Sequence, residues 1–145
     1  MKFKILFLIL AVNVYGLDES ALLKAIAIKE GGYRMGKAGE IGAWQMMPKT
    51  VRDAGGHDRS AALRHMHWLM RNLTRLGQAE SAFNIALCWN AGFERATSGE
   101  AKLSSYAYAW DVLNIYQEKL NQQYLDKAEE RLTFRPVTRR FVLSQ

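Results

Sequence analysis

Apolar residues recur at helical spacing along most of the chain, and no strand-like alternation of any length interrupts them. Leu22, Leu23, Ile26 and Ala27 mark one side of a first helix, capped by Asp18 and ended at Gly31-Gly32. Pro48 opens a short helix through about Asp53, closed by Gly55-Gly56. A longer helix runs from about Arg59 to Leu76, with Leu63, Met66, Leu69, Met70 and Leu73 on its apolar side, until Gly77 breaks it. Glu80 to Trp89 reads as an Ala-rich, hydrophobic helix stopping near Asn90-Ala91-Gly92, and Ser104 or Ser105 starts a last helix that extends to about Glu130. Between the first two helices, Gly31 to Gly42 holds five glycines, with Tyr33, Arg34, Lys37 and Glu40 among them. This stretch reads as an irregular loop or a short hairpin. The predicted fold class is mainly α, and no internal repeat is visible.

At 145 residues the length fits one ordinary domain, and 49% hydrophobic content excludes a fully disordered chain. One cysteine, Cys88, excludes an internal disulfide, and its neighbours Ala86, Leu87 and Trp89 predict that it is buried. A net charge of +6 favours anionic partners, whether nucleic acid, acidic lipid or acidic polysaccharide. The first residues narrow this choice. Lys2 and Lys4, the apolar run from Ile5 to Val12, and Val14 with Gly16 at the cleavage places match an export signal over residues 1–16. The run is short for a bilayer span of about 20 residues, so a membrane contact is expected only if this segment stays uncleaved. A periplasmic or secreted protein is the expectation, with a domain over 17–130. The remainder, 131–145, is basic and reads either as a packed or trailing tail or as a cationic contact.

Chemistry concentrates first at Glu30, on the last turn of the first helix and directly before Gly31-Gly32. The negative end of a helix disfavours a further negative charge, and apolar surroundings add desolvation. Both raise a carboxyl pKa towards what a general acid needs, and the glycines leave room for a substrate. Alone, a helix-ending glutamate before glycine is equally the pattern of a solvated helix end. His65 and His67 lie about 200° apart on a helix and cannot share a metal from one face; with His57 they read as surface or cleft-rim residues. Trp44, Trp68, Trp89 and Trp110 either fill core or stack on sugar rings.

Downstream of Glu30 stands an ordered series: Gly39-Glu40-Ile41-Gly42-Ala43-Trp44-Gln45-Met46-Met47-Pro48-Lys49-Thr50, then Ala86-Leu87-Cys88-Trp89-Asn90-Ala91-Gly92, then Ser105-Tyr106-Ala107-Tyr108-Ala109. The series resembles the soluble lytic transglycosylase family over about Leu22 to Tyr116. The resemblance implies a lysozyme-like helical domain, with the Gly-rich loop or hairpin beside a cleft that binds peptidoglycan glycan strands. It implies no metal, no cofactor and no nucleic-acid partner. By resemblance Glu30 is the catalytic acid/base, Gln45 and Met47 line the cleft near the scissile bond, and Trp89-Asn90 match the aromatic and asparagine of a substrate-binding motif. Tyr106 matches a tyrosine that orients the carboxyl or touches substrate, with Tyr108 the alternative for that role.

Three departures stand out. Gly31 replaces a serine of the family pattern, Trp89 replaces a tyrosine, and Glu40 stands where the family has a small residue. Glu40 is therefore either a structural or substrate-binding residue, or a second catalytic carboxylate facing Glu30 as in a hydrolytic lysozyme. A non-catalytic wall-binding protein of the same fold, and a cationic membrane-active protein working through its tail, are the readings from other classes. Small exported members of the family serve secretion, conjugation or phage machines, and the lack of a visible wall-binding module suggests delivery by such a partner.

Overall fold

Asp18 accepts a hydrogen bond from the Ala21 N–H at 2.8 Å and so starts α1 (Glu19–Glu30). Gly31 ends it in the left-handed conformation at φ 74°, returning its N–H to the Ile28 carbonyl. The same devices bound the next helices. Pro48 stands at the start of α2 (Pro48–Ala54) and a left-handed Gly55 at its end, while the Asp58 and Ser81 side chains cap α3 (Arg59–Arg75) and α4 (Ala82–Ala91). The chain then forms α5 (Phe93–Ser98) and α6 (Leu103–Thr133).

This computed structural model describes residues 16–31 and 39–133, which are mainly helical and contain no strand. Apart from Gly16, the N-terminal segment read as an export signal lies outside them, as do Tyr33, Arg34 and Lys37 of the Gly-rich stretch and 134–145 of the basic tail. Among the described residues no helix is long and apolar enough to cross a membrane. Two elements differ from the sequence expectation. The six-residue α5 is an addition, because it has no side-chain cap and is too short to show an apolar period. The last helix passes the expected end at Glu130 and continues through Thr133.

The core joins α1, α3, α4 and α6. Leu22, Leu23 and Ile26 of α1, Met66, Leu69 and Leu73 of α3, Ile85 of α4 and Val112 of α6 are its largest fully buried side chains. Leu63 and Met70, expected on the apolar side of α3, pack against this core but stay partly exposed. α6 crosses α1 antiparallel: the Tyr116 hydroxyl accepts from the Asp18 N–H at 3.1 Å near the start of α1, and Tyr108 meets Glu30 at its end. Ile26 lies one turn before Glu30 on this seam. Ile26→Ala should therefore cost about 2–5 kcal/mol, read as a lower urea midpoint at unchanged slope.

Candidate active site

Glu30 is the last residue of α1. Glu30 is half-buried there, and the Tyr108 hydroxyl donates to its Oε1 at 2.6 Å. Beside this contact Lys29 Nζ donates to Asp111 Oδ2 at 2.5 Å, so two polar contacts fix α1 and α6 in the same register. Burial pushes the Glu30 carboxyl above its ordinary 4.5; the Tyr108 hydrogen bond opposes this, Glu40 adds repulsion, and Lys29 offsets a little. Burial prevails. The Tyr108 phenol is raised strongly by its own burial and by Glu30 beside it, so it remains a neutral donor.

Glu40, whose charge acts on Glu30, leads into a tight turn. Ile41 and Met46 exchange both backbone hydrogen bonds, at 2.9 and 3.0 Å, in one antiparallel bridge. The turn between them needs Gly42: at φ 82° a side chain is strained, and a Cβ would stand 3.0 Å from the His57 carbonyl oxygen. Gln45 takes φ 46° without being glycine, the one such residue described. Its backbone N–H and its side-chain Nε2 both donate to the Gly42 carbonyl, at 3.1 and 2.8 Å, which offsets that strain. Met46 of this bridge is buried in the core, while the next residue, Met47, turns outward. Met47 is 48% exposed.

Two tryptophans tie this turn to the helices. Trp44 Nε1 donates to the Leu23 carbonyl at 2.9 Å, and Trp89 Nε1 donates to the Trp44 carbonyl at 3.0 Å. Both indoles are thereby structural struts, whatever else they touch. Past Met47 a groove of about 1270 Å³ opens between α2, α3, α4 and α5, lined by Met47, Trp89 and Asn90 among others. Its far wall is His65 between Trp89 and Trp68, with ring centroids at 4.9 and 6.0 Å, and Phe93 edge-on to Trp68 at 5.3 Å. Trp110 instead packs on Phe83, with centroids 5.1 Å apart, away from this wall.

Of the residues singled out in the sequence, Glu30, Glu40 and Tyr108 gather at the end of α1, and Met47, Trp89 and Asn90 line the groove. Gln45 sits on the turn between Glu40 and Met47, where its amide closes the loop. Tyr106 packs partly buried against the core, and the hydrogen bond to Glu30 comes from Tyr108 instead. Two residues along a helix are about 200° apart, so only one of Tyr106 and Tyr108 can face α1, and it is Tyr108. His65, Trp68, Arg71, Phe93 and Arg95 also line the groove, although sequence reasoning assigns them no role beyond cleft rim or core. The signal for the first three is the i, i+3 spacing of His65, Trp68 and Arg71 beside the apolar stripe of α3.

His65 and Cys88 are groove residues held in their neutral forms. Burial pushes the Cys88 thiol up to about 11, which leaves it a poor nucleophile at neutral pH. Burial also lowers His65 to about 4, with Asp53 opposing weakly. The unfolded imidazole takes a proton near 6.5 and the folded one near 4, so its contribution to stability is complete above 6.5 and is lost as pH falls towards 4. The melting temperature should drop by a few degrees over that window, and His65→Phe should flatten the drop in thermal scans at stepped pH. No group of three or more metal-ligating side chains occurs among the described residues. No family model, curated protein or solved structure matches this chain.

Proposed function

We propose that this chain is an exported peptidoglycan-cleaving enzyme of lysozyme-like fold, acting as a lytic transglycosylase on the bond between N-acetylmuramic acid and N-acetylglucosamine. The observation that carries the reading is the Glu30 carboxyl: half-buried, raised in pKa chiefly by that burial, and held by the Tyr108 hydroxyl at 2.6 Å. A carboxylic acid that stays protonated longer than usual can give its proton to a glycosidic oxygen. The carboxylate so formed then takes the proton of the sugar's own 6-hydroxyl, whose oxygen closes on the anomeric carbon as a 1,6-anhydro ring. The substrate's N-acetyl group stabilises the positive charge at that carbon, as in other substrate-assisted glycosidases. Tyr108 keeps one carboxyl oxygen fixed through both proton transfers.

A second reading is favoured by one observation, the repulsion between Glu40 and Glu30. Two neighbouring carboxylates also suit a hydrolytic lysozyme, with Glu40 activating water or steadying the cation. Mass spectrometry of digested sacculi separates the two: anhydro ends are lighter by one water than hydrolysed ends. The transglycosylase reading expects anhydro ends from both the wild type and Glu40→Gln. Reducing ends throughout, together with loss of cleavage in Glu40→Gln, would replace it with the hydrolase.

A further inference from the structure

The groove beyond Met47 contains cations that the cleavage chemistry does not use. Arg71 on α3 and Arg95 on α5 both line it and are exposed, and neither guanidinium has an ion-pair or hydrogen-bond partner among the described residues. The other cations there are engaged. Lys49 Nζ donates to Asp53 Oδ2 at 2.8 Å, and Arg64 donates to the Ala54 carbonyl at 2.7 Å and the Ser60 hydroxyl at 2.8 Å. The acids of the groove are Asp53, already paired with Lys49, and Glu94. Two unengaged guanidinium groups therefore face one unengaged carboxylate.

Beside them the wall of His65, Trp68 and Phe93 is already packed, with Trp68 still 43% exposed. Such a wall loses little side-chain freedom on binding. A guanidinium fork matches a carboxylate in shape and charge, which sets Arg apart from a simple point charge. The groove is also tied by hydrogen bonds to the helix that carries Glu30. Trp89 of the groove lining donates to the Trp44 carbonyl, and Trp44 in turn donates to the Leu23 carbonyl of α1, the helix that ends at Glu30. The peptidoglycan reading has a polymer bound at Glu30 reach past Met47 and Asn90, which line the arginine-bearing groove.

We propose that this groove is a specificity subsite for the carboxylate-bearing peptide stem of the glycan, gripped by Arg71 and Arg95, an inference that rests on the peptidoglycan reading of the Glu30 site. Calorimetry with the full-length Glu30→Gln protein tests it, using two glycan oligomers of equal length, one bearing its peptide stems and one stripped of them by an amidase. The stem-bearing oligomer should bind about fivefold more tightly, the scale of two partly solvated charged contacts. Adding Arg71→Ala and Arg95→Ala should bring the ratio to about one and leave the stripped oligomer's affinity unchanged. Glu94→Gln, which removes the opposing acid, should raise the ratio. Equal affinities for the two oligomers, or a preference that survives loss of both arginines, overturns the subsite alone. Absence of binding to either oligomer, with sacculi left intact by the wild type, overturns the functional reading along with it.

Discussion

Replacing Glu30 with glutamine is expected to abolish clearing of peptidoglycan in a gel and to lower sacculus solubilisation by at least about 10³-fold. Glutamine keeps the size of the side chain and an oxygen for Tyr108 to donate to, so the helix end and its register with α6 persist. The transferable proton alone disappears. One carboxyl serves first as acid and then as base in the proposed reaction, so both functions fall together, at the upper part of the range usual for general acid–base catalysis. Stability should move the other way. A folded pKa above 4.5 means that the fold favours the protonated carboxyl; this contribution is complete below 4.5 and is lost as pH rises through the folded value. Glu30→Gln should therefore melt above the wild type at neutral pH, with the gap closing in acid. Activity lost while stability is gained is the mark of a residue held in an unfavourable setting for function. Clearing by the variant equal to that of the wild type would remove Glu30 from the chemistry.

The second large effect is expected at Tyr108. Tyr108→Phe keeps the ring, which is 8% exposed in the native fold, and deletes only the hydroxyl that donates to Glu30. The lost hydrogen bond favoured the carboxylate, so the Glu30 pKa should rise further and carry the alkaline limb of the pH–rate profile upward. Without that anchor the carboxyl is less well aimed, and kcat should fall about 10- to 100-fold with little change in KM. Tyr106→Phe should leave both the limb and kcat as they are, because its ring points elsewhere around α6. A shift of the limb in Tyr106→Phe and none in Tyr108→Phe would reverse the assignment.

The two tyrosines also show how far a sequence can express a site. Ser105, Tyr108, Ala109, Val112 and Tyr116 are the buried positions of α6, an i, i+3, i+4 series that includes Tyr108 and omits Tyr106. The stripe is legible in the sequence, whereas motif order alone points to Tyr106. Helix ends are legible because their caps are side chains or glycines: Asp18, Asp58 and Ser81 at the starts, Gly31 and Gly55 at the ends. Glu30 is legible for the same reason, as the last residue before a left-handed glycine. The turn that follows Glu40 is not, since it depends on the Ile41–Met46 bridge and the positive φ of Gln45. Nor is the groove. Arg71 and Arg95 share one groove only because α5 packs against α4, and α5 has too few residues to announce itself.

Everything proposed for this protein needs the carboxyl at position 30 to hold its proton beyond the ordinary range. Carbon-13 NMR of the labelled Glu30 side-chain carboxyl, titrated in the full-length protein, reads this directly. A midpoint clearly above 4.5, moving higher in Tyr108→Phe, is the result expected here. A midpoint at or below 4.5, indifferent to the tyrosine, would contradict it.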